Sequence, residues 1–149
     1  MNSIATRLRP VLMADDDPDD CSLAQEAFRD AALPNPLRFV DDGEKLLDYL
    51  NDCRNSADKG CMPALILLDL NMPRMDGRET LHAIKREPNF RSIPVVVWTT
   101  SQAAEDAENA RAAGCDGYLT KPASFEELVS LMRDLGERWL RNGHKENSR

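Results

Sequence analysis

The sequence lacks the long segments that direct a protein to a membrane or to nucleic acid. No hydrophobic run approaches the roughly 20 residues of a membrane span, and Met1 to Pro10 has no apolar core of the kind that a signal peptide needs. Blocks of Lys or Arg are missing too, and 26 acidic against 19 basic residues give a formal charge of -7. We therefore predict a cytoplasmic protein that binds neither membranes nor nucleic acid directly.

Paired cysteine motifs and glycine-rich loops are also missing. The chain has four cysteines, which are Cys21, Cys53, Cys61 and Cys115. Because they show no C-x-x-C spacing and no secretion signal is evident, we predict reduced thiols. Cys53 and Cys61 share the polar segment 51–63, a predicted surface loop, so a disulfide or a metal clip between them stays open. Without a glycine-rich loop to cradle a phosphate, a nucleotide or flavin binder is disfavoured.

Short apolar runs alternate with segments of helical periodicity, and no repeats or low-complexity stretches interrupt them. The runs predict five strands, at 11–14, 37–40, 65–68, 93–98 and 118–120. Helices are predicted to begin at Pro18 with Asp17 as N-cap, at the capping segment Asp41-Asp42-Gly43-Glu44, after Asp76, at Gln102 and after Ser124. Capping-box spacing supports two of these starts, in the pairs Asp76 with Glu79 and Ser124 with Glu127. The first helix is predicted to bury Leu23, Ala24, Ala27, Phe28 and Ala31.

Two of the predicted helices have unusual apolar faces. The fourth turns small residues inward, namely Ala103, Ala107 and Ala110. At about 25 cal/mol per Å² it gains little from burial and should be the most loosely held helix. The last helix has an apolar set wider than one stripe, and its surplus residues Leu131 and Leu140 indicate a homodimer contact.

Alternating strands and helices of this kind predict an α/β fold, a doubly wound five-stranded parallel sheet. Because crossovers between parallel strands are right-handed, few strand orders are open. We predict the order 2-1-3-4-5, which brings the ends of the first, third and fourth strands side by side. The domain is placed at residues 10–142, with tails at 1–9 and 143–149.

Polar and charged residues follow four of the strands at the point where each ends. Asp15 and Asp16 follow the first strand, Asp69 the third, Thr99 the fourth and Lys121 the fifth. Ligands bind at the carboxyl ends of the strands in open α/β sheets. We therefore expect these side chains to meet at one mouth.

Several carboxylates at one mouth repel each other unless a cation lies between them. A site made only of oxygen atoms favours Mg²⁺ or Mn²⁺. Asp16 and Asp69 are the predicted direct ligands, the backbone carbonyl of Asn71 a third, and Asp15 a ligand through water. Because Mg²⁺ shares phosphate oxygens readily, the site predicts phosphoryl chemistry at Asp69.

A carboxylate is able to attack phosphorus, which gives an aspartyl phosphate. The three oxygens of the new group on Asp69 each need a partner. The metal supplies one, the Thr99 hydroxyl a second and the Lys121 ammonium a third. Asp69 is therefore predicted to be the residue that is itself modified.

Four motifs resemble those of the receiver domains of two-component response regulators. In chain order they are V-L-M-A-D-D-D-P, L-I-L-L-D-L-N-M-P-R-M-D-G, P-V-V-V-W-T-T-S and G-Y-L-T-K-P. The resemblance covers about the whole chain and implies a flavodoxin-like receiver fold with Asp69 as phosphoacceptor and Thr99 as switch hydroxyl. It also implies that Tyr118 changes rotamer on activation and that the peptide bond from Lys121 to Pro122 is cis. A sensor histidine kinase would be the phosphoryl donor, and the protein would catalyse only its own phosphorylation and dephosphorylation.

Three segments resemble more narrowly the stand-alone regulators that accompany bacterial phytochromes. These are V-D-D-G-E-K-L-L-D-Y-L, I-P-V-V-V-W-T-T-S and the last helix with Trp139. The resemblance implies a bacteriophytochrome as the kinase and no output domain, so that the surface of the fourth helix, fifth strand and fifth helix would signal to a downstream protein or phosphotransfer partner. Trp98 replaces the usual aliphatic residue and is predicted to crowd the switch without touching the chemistry.

Two other functions stay open. Phosphatases of the haloacid dehalogenase type also use a strand-end Asp, but a second acid follows it two residues on, where this chain has Asn71. A pseudo-receiver scaffold would keep the fold and lose the chemistry, and the complete set of site residues argues against it. His82 and His144 have no partner acid nearby in sequence and are predicted surface residues.

The acidic run at 15–20 also mimics a calcium-binding loop. Asp20 stands where that loop needs Gly, and Pro18 starts a helix inside it. Asp17, Asp19 and Asp20 are therefore interpreted as ordinary capping residues of the first helix.

Overall fold

A computed structural model of the chain describes residues 8–72 and 75–141. Most of the two predicted tails, 1–7 and 143–149 with His144, lies outside the described residues, as do Pro73 and Arg74. The strands are β1 Val11–Ala14, β2 Leu37–Val40, β3 Leu65–Leu68, β4 Val95–Thr99 and β5 Gly117–Thr120. The helices are α1 Pro18–Asp30, α2 Gly43–Arg54, α3 Gly77–Arg86, α4 Ala104–Ala112 and α5 Phe125–Leu135. A short 3-10 helix covers Lys59–Cys61, and a π-helical segment, Gly136–Arg141, extends α5.

The five strands form one parallel sheet in the order β2-β1-β3-β4-β5, which confirms the predicted fold class and strand order. β1, β3 and β4 are buried along their whole length. Such strands have helices on both faces, so their sequences are continuous apolar runs rather than alternating ones. Each helix in the described part of the chain is too short or too polar to cross a bilayer.

Alternate residues of each central strand point to opposite faces and build two cores. On one face Leu12, Ile66 and Leu68 pack with the buried leucines of α2 and with Ile84 of α3. The other face packs against α1 and α5 through Val11, Met13, Leu65, Leu67, Val96, Trp98, Ala27, Phe28, Leu128 and Met132. The carboxyl edge of the sheet, where the predicted site residues lie, is thus held between two separate layers of helices.

The predicted helix caps are present. Asp17 accepts from Asp19 N at 2.9 Å, Asp42 from Lys45 N at 2.8 Å, Asp76 from Glu79 N at 3.1 Å, and Ser124 from Glu127 N at 3.1 Å. α4 differs, because Ala103 precedes it and supplies no side-chain cap. Among the described residues of α4 only Ala110 is buried, so the helix has little apolar area to anchor it. The prediction that Ala103 faces inward is wrong, because this residue precedes the helix and is exposed.

Three details of the helices differ from the prediction. Leu23 is 46% exposed, because it lies about 100° around α1 from the buried stripe of Ala24, Ala27, Phe28 and Ala31. α2 continues to Arg54 and so takes up the first part of the predicted loop 51–63. α4 begins at Ala104 rather than at Gln102.

Cys53 and Cys61 form a disulfide with a Cα–Cα distance of 5.8 Å, whereas Cys21 and Cys115 are free. The prediction of four reduced thiols is therefore wrong for this pair. The extended α2 buries Cys53 next to the 3-10 helix that ends at Cys61. Tyr49 Oη donates to Cys61 O at 2.7 Å and ties the same segment to α2.

The peptide bond from Lys121 to Pro122 is trans, and no cis bond occurs among the described residues. The cis bond that the family resemblance implied is therefore wrong for this structure. Trans is the lower-energy isomer before proline by about 0.5 to 1 kcal/mol. Lys121 reaches Asp15 and Asp69 from the trans backbone.

The amino ends of β4 and β5 are joined by a half-buried amine that the sequence did not single out. Lys85 Nζ donates to Arg91 O at 3.1 Å, Ile93 O at 3.0 Å and Asp116 Oδ2 at 2.9 Å. Asp116 in turn accepts from Val95 N at 2.8 Å. These contacts fix where β4 starts and hence where it ends, at the functional edge.

A side chain at Gly77 would collide with the backbone that carries Asp69. A Cβ built there lies against Asp69 O and 2.6 Å from Leu70 Cα. Gly77→Ala should therefore lower the free energy of unfolding by about 1 to 3 kcal/mol, because the backbone has to move. Urea denaturation measures the change.

Gly117→Ala is the matched control for this clash. The nearest atoms to its Cβ all belong to the Val96 side chain, with Cγ2 at 3.2 Å, and no backbone atom is among them. We expect a smaller loss of stability than for Gly77→Ala. Equal losses in the two variants would contradict a backbone collision at Gly77.

Candidate functional site

The backbone hydrogen bonds of the sheet continue one residue beyond the strands and place the site residues. Asp15 N donates to Val40 O at 3.0 Å, and Asp69 N donates to Ala14 O at 3.0 Å. Lys121 N donates to Thr99 O at 2.7 Å. The sheet therefore holds the backbone of Asp15, Asp69 and Lys121 at its carboxyl edge, where the sequence predicted these residues to lie.

Three carboxylates come together at this edge. One oxygen from each of Asp15, Asp16 and Asp69 lies within 4.8 Å of the other two. Asp15 and Asp69 are 2% and 5% exposed, whereas Asp16 is exposed to solvent. The three acids have the donor type and spacing to hold a divalent cation.

Asn71 lies beside this group and contacts it through its backbone. Its N–H donates to Asp69 Oδ1 at 3.1 Å. This bond orients the Asp69 carboxylate. The role of the Asn71 carbonyl as a metal ligand stays a prediction.

The ammonium group of Lys121 lies among three carboxylates. Its Nζ is 2.7 Å from Asp20 Oδ2, 3.0 Å from Asp15 Oδ2 and 3.3 Å from Asp69 Oδ2. The Lys121 side chain is only 11% exposed. Water therefore screens these pairs poorly, and the lysine is fixed where it faces the predicted nucleophile.

Asp20 is a site residue that sequence reasoning missed, because its position in the first turn of α1 matched a capping role. Side chains of an α-helix lean toward its amino end. Since α1 starts at the mouth, this lean brings Asp20 back to Lys121. An acid in the first turn of a helix that follows an acidic strand end was the available signal.

The environment raises the pKa of three charged groups at this edge, Asp69, Asp20 and Lys121, for different reasons. Burial raises the pKa of Asp69, and the Asn71 N–H and Lys121 offset part of the rise. Burial also raises the pKa of Asp20 against the hydrogen bond from Lys121. For Lys121 burial alone would lower the pKa, but the hydrogen bonds to Asp20 and Asp15 and the charges of Asp15 and Asp69 raise it above its ordinary value.

Trp98 contacts the acid pair directly, so the prediction that it lies clear of the chemistry is wrong. Its Nε1 donates to Asp15 Oδ2 at 3.0 Å, and the residue is 2% exposed. Lys121 Nζ lies 5.6 Å from the centroid of the indole ring. An aliphatic residue is too short to reach Asp15 from β4, but an indole is long enough.

Thr99 and Tyr118 lie near the site without bonding to Asp69. Thr99 is fully buried, and its Oγ1 accepts from Ser101 N at 3.2 Å. Tyr118 packs against the core on the α2–α3 face, and its hydroxyl is buried without a hydrogen-bond partner among the described residues. The Tyr118 hydroxyl is therefore a polar atom that a rearrangement would satisfy better.

The loop after β4 is tied to α4 and α3 through one acid. Ser101 Oγ donates to Asp106 Oδ2 at 2.6 Å, and Arg78 Nη2 donates to Asp106 Oδ1 at 3.4 Å. The hydrogen bond from Ser101, followed by the charge of Arg78, holds the pKa of Asp106 below its ordinary value. A displacement of Thr99 would therefore be transmitted through Ser101 and Asp106 to the start of α4.

Residues 11–133 match the family model of the response regulator receiver domain. The chain belongs to this family. Its members are receiver domains rather than classical enzymes, and the aspartate cluster at the edge of the sheet fits a phosphoacceptor role. The haloacid dehalogenase alternative is not favoured.

The chain is similar to several response regulators over most of their length. It is 33% identical over 130 residues to response regulator Rcp1 of Synechocystis, covering 87% of this chain and 88% of Rcp1. RPA3017, a response regulator in red light signaling of R. palustris, superimposes with a TM-score of 0.82 at 38% identity, covering 90% of this chain and 95% of RPA3017. The phosphorylated cyanobacterial phytochrome response regulator RcpA gives 0.80 at 33%, covering 91% and 96%.

A Mn²⁺-bound form of Rcp1 is also a structural neighbour of this receiver. Its TM-score is 0.76 at 32% identity, covering 89% of this chain and 94% of that one. Together with the cluster of Asp15, Asp16 and Asp69, this similarity fits divalent metal binding at the same edge.

Cys21 offers a reporter of a cation at this site. Its Sγ lies 3.6 Å from Asp15 O. Burial raises the pKa of the Cys21 thiol to about 11, and the charges of Asp15, Asp20 and Asp17 contribute to the rise. At pH 8 iodoacetamide should therefore alkylate Cys21 slowly, since roughly 100-fold less thiolate is present than for a thiol with a pKa of 9.0. Mg²⁺ should speed the reaction by offsetting the negative charge of Asp15, as peptide mass spectrometry would measure.

Cys115 is the internal control for this alkylation. Burial raises its pKa as well, but Asp15, Asp16 and Asp69 are not among the causes. Its rate should not respond to Mg²⁺. A Cys21 rate that is equally insensitive would contradict a cation bound beside Asp15.

Proposed function

We propose that Asp69 takes a phosphoryl group from a sensor histidine kinase and that the modified receiver signals through α4, β5 and α5. The observation that carries the proposal is the position of Lys121 Nζ, 3.3 Å from Asp69 Oδ2, beside three clustered carboxylates. In the transfer, an oxygen of Asp69 forms a bond to phosphorus as the phosphorus–nitrogen bond of the kinase phosphohistidine breaks. The leaving imidazole nitrogen keeps the electron pair of that bond.

Asp69 must be ionised to act as the nucleophile. Burial favours its neutral form, while the Asn71 N–H and Lys121 favour the carboxylate. These two donors are fixed before the reaction, so they need no reorganisation when charge develops. The protein would in this way catalyse its own phosphorylation and, with water as attacking group, its own dephosphorylation.

Mg²⁺ is the proposed metal, and Mn²⁺ would replace it. Asp16 and Asp69 would bind it directly, with the Asn71 carbonyl as a further ligand and Asp15 acting through water. A bound ion would supply charge neutralisation for the transferred phosphoryl group. The net negative charge of three acids against Lys121 supports a need for this second cation.

Phosphorylation would add a charge of about -1.5 to -2 at a mouth where two donors are available. Lys121 faces Asp69 already, and Thr99 would turn its hydroxyl from Ser101 N toward a phosphoryl oxygen. Two charge-assisted hydrogen bonds of roughly 1.5 to 3 kcal/mol each give about 3 to 6 kcal/mol. Since reversing a 1:99 equilibrium takes about 5.5 kcal/mol, we expect some active population before phosphorylation.

α4 is the element that we propose to move. It has one buried residue and no side-chain cap, and Ser101 and Asp106 couple it to Thr99. The Tyr118 hydroxyl, buried without a partner in the part of the chain that the structure describes, would gain a hydrogen bond if the ring turned toward solvent. Both features support a second arrangement of this face.

A bacteriophytochrome is the proposed kinase, because the chain resembles Rcp1, RcpA and RPA3017. The cytoplasm is the proposed location of the receiver. The proposed receiver spans residues 10–142.

A downstream protein or phosphotransfer partner would bind the face of α4, β5 and α5. The same face would form a homodimer, supported by an apolar groove on β5 and α5 that includes Leu119, Leu131 and Leu135.

Asp69→Asn should abolish phosphate uptake from acetyl phosphate and Mg²⁺, because an amide is no nucleophile toward phosphorus. Chelation of the metal with EDTA should abolish uptake by the native protein as well. Intact-mass spectrometry measures the added group. Asp19→Asn, which removes an exposed acid from α1, should leave uptake unchanged.

Unchanged uptake in Asp69→Asn would overturn the assignment of the phosphoacceptor. Uptake that survives EDTA would overturn the role of the metal while leaving Asp69 in place.

Leu131→Glu should lower the sedimentation mass at micromolar concentration, because it places a charge in the apolar groove. Gln25→Glu adds the same charge at an exposed position of α1 and serves as the control. An unchanged mass in Leu131→Glu, or an equal loss in both variants, would remove this surface as the dimer contact.

A further inference from the structure

Trp98 joins the buried core to the charged site. It packs among apolar residues between the sheet and the layer of α1 and α5 and is 2% exposed. Its Nε1 lies 3.0 Å from Asp15 Oδ2. An indole has a single N–H and accepts no hydrogen bond, so this donor is committed to Asp15.

Asp15 is the most tightly oriented acid of the cluster. Its Oδ1 accepts from Asp17 N at 2.9 Å, and its Oδ2 accepts from Trp98 Nε1 and lies 3.0 Å from Lys121 Nζ. The Asp15 side chain is fully buried, whereas Asp16 is exposed. Three donors therefore fix the plane of the Asp15 carboxylate before any cation arrives.

Two donors contact Asp15 Oδ2, and of these the Trp98 N–H contacts no other acid among the described residues. Lys121 divides its contacts among Asp15, Asp20 and Asp69, and in the proposed function it also serves the phosphoryl group. If the lysine shifts toward that group, the Trp98 N–H still holds Asp15. The ring also lies 5.6 Å from the ammonium, within the range of a cation–π contact that limits where the lysine goes.

We propose that Trp98 is a positioning residue of the metal site: its N–H holds the Asp15 carboxylate in the orientation that serves the bound cation. The inference rests on the proposed metal binding. Hydrogen-bond partners of metal-binding groups typically contribute 10- to 100-fold to affinity. A residue that only filled the core would change the stability of the fold but not the affinity of the folded protein.

Two replacements of Trp98 separate the N–H from the ring. Trp98→Phe removes the donor and part of the volume, and substitution by 3-benzothienylalanine removes the donor while keeping the shape of the ring. Trp139→Phe is the matched control, since it alters the second tryptophan, in the π-helical segment that follows α5. Circular dichroism establishes that each protein is folded before titration.

Isothermal titration calorimetry with Mg²⁺ alone then measures the dissociation constant of each protein. We expect Trp139→Phe to match the native protein and both Trp98 replacements to bind about 10-fold more weakly or worse. If the Phe variant does not fold, the benzothienyl protein decides. Unchanged affinity in a folded Trp98 replacement would overturn the inference, while absence of binding by the native protein would overturn the proposed metal function as well.

Fluorescence supplies a second readout, which tests whether the cation binds beside the Trp98 indole. In Trp139→Phe the only tryptophan is Trp98, and its emission should change on Mg²⁺ addition with the midpoint found by calorimetry. In Trp98→Phe the remaining tryptophan should not respond. A flat response from Trp98 over the range where calorimetry detects binding would overturn the inference.

Discussion

One ammonium group holds together the carboxylates on which this receiver depends. Lys121 Nζ contacts Asp20, Asp15 and Asp69 within 3.3 Å, and its backbone N–H is bonded to Thr99 O. Removing one partner of a buried ion pair typically costs about 3 to 5 kcal/mol, because the other charge is left uncompensated. The lysine therefore stabilises the site and at the same time faces the residue that we propose to be phosphorylated.

The charge balance explains why one lysine is not enough. Asp15, Asp16 and Asp69 lie close to one another, and Asp20 takes the shortest contact with the ammonium. This negative excess fits a divalent cation and agrees with the similarity to a Mn²⁺-bound relative. The central strands that carry the acids are buried in two separate cores, and this packing keeps the acids close together. α4 has a single buried residue and no side-chain cap, which is why we propose it as the element that moves beside the site.

Most of the fold could be predicted from the sequence because its signals are local. Apolar runs ending in acids predicted the strands, and Asp17, Asp42 and Ser124 marked helix starts through bonds to residues two or three positions on. Handedness and the grouping of strand ends then led to the observed strand order. The exposure of Leu23 was an error in applying the helical period, which places Leu23 beside the buried stripe of α1 rather than in it. The disulfide between Cys53 and the 3-10 helix had no local signal.

The sequence alone determined which residues follow the strands, and therefore that Asp15, Asp16, Asp69, Thr99 and Lys121 share one edge. Strand ends meet in any parallel sheet, so this followed from order and topology. Only the tertiary structure decided which side chains touch. Asp20 reaches Lys121 across a separation of 101 residues and Trp98 reaches Asp15 across 83, and such contacts depend on side-chain length and helix direction. The pattern of residues along the chain therefore gives no signal for these two contacts.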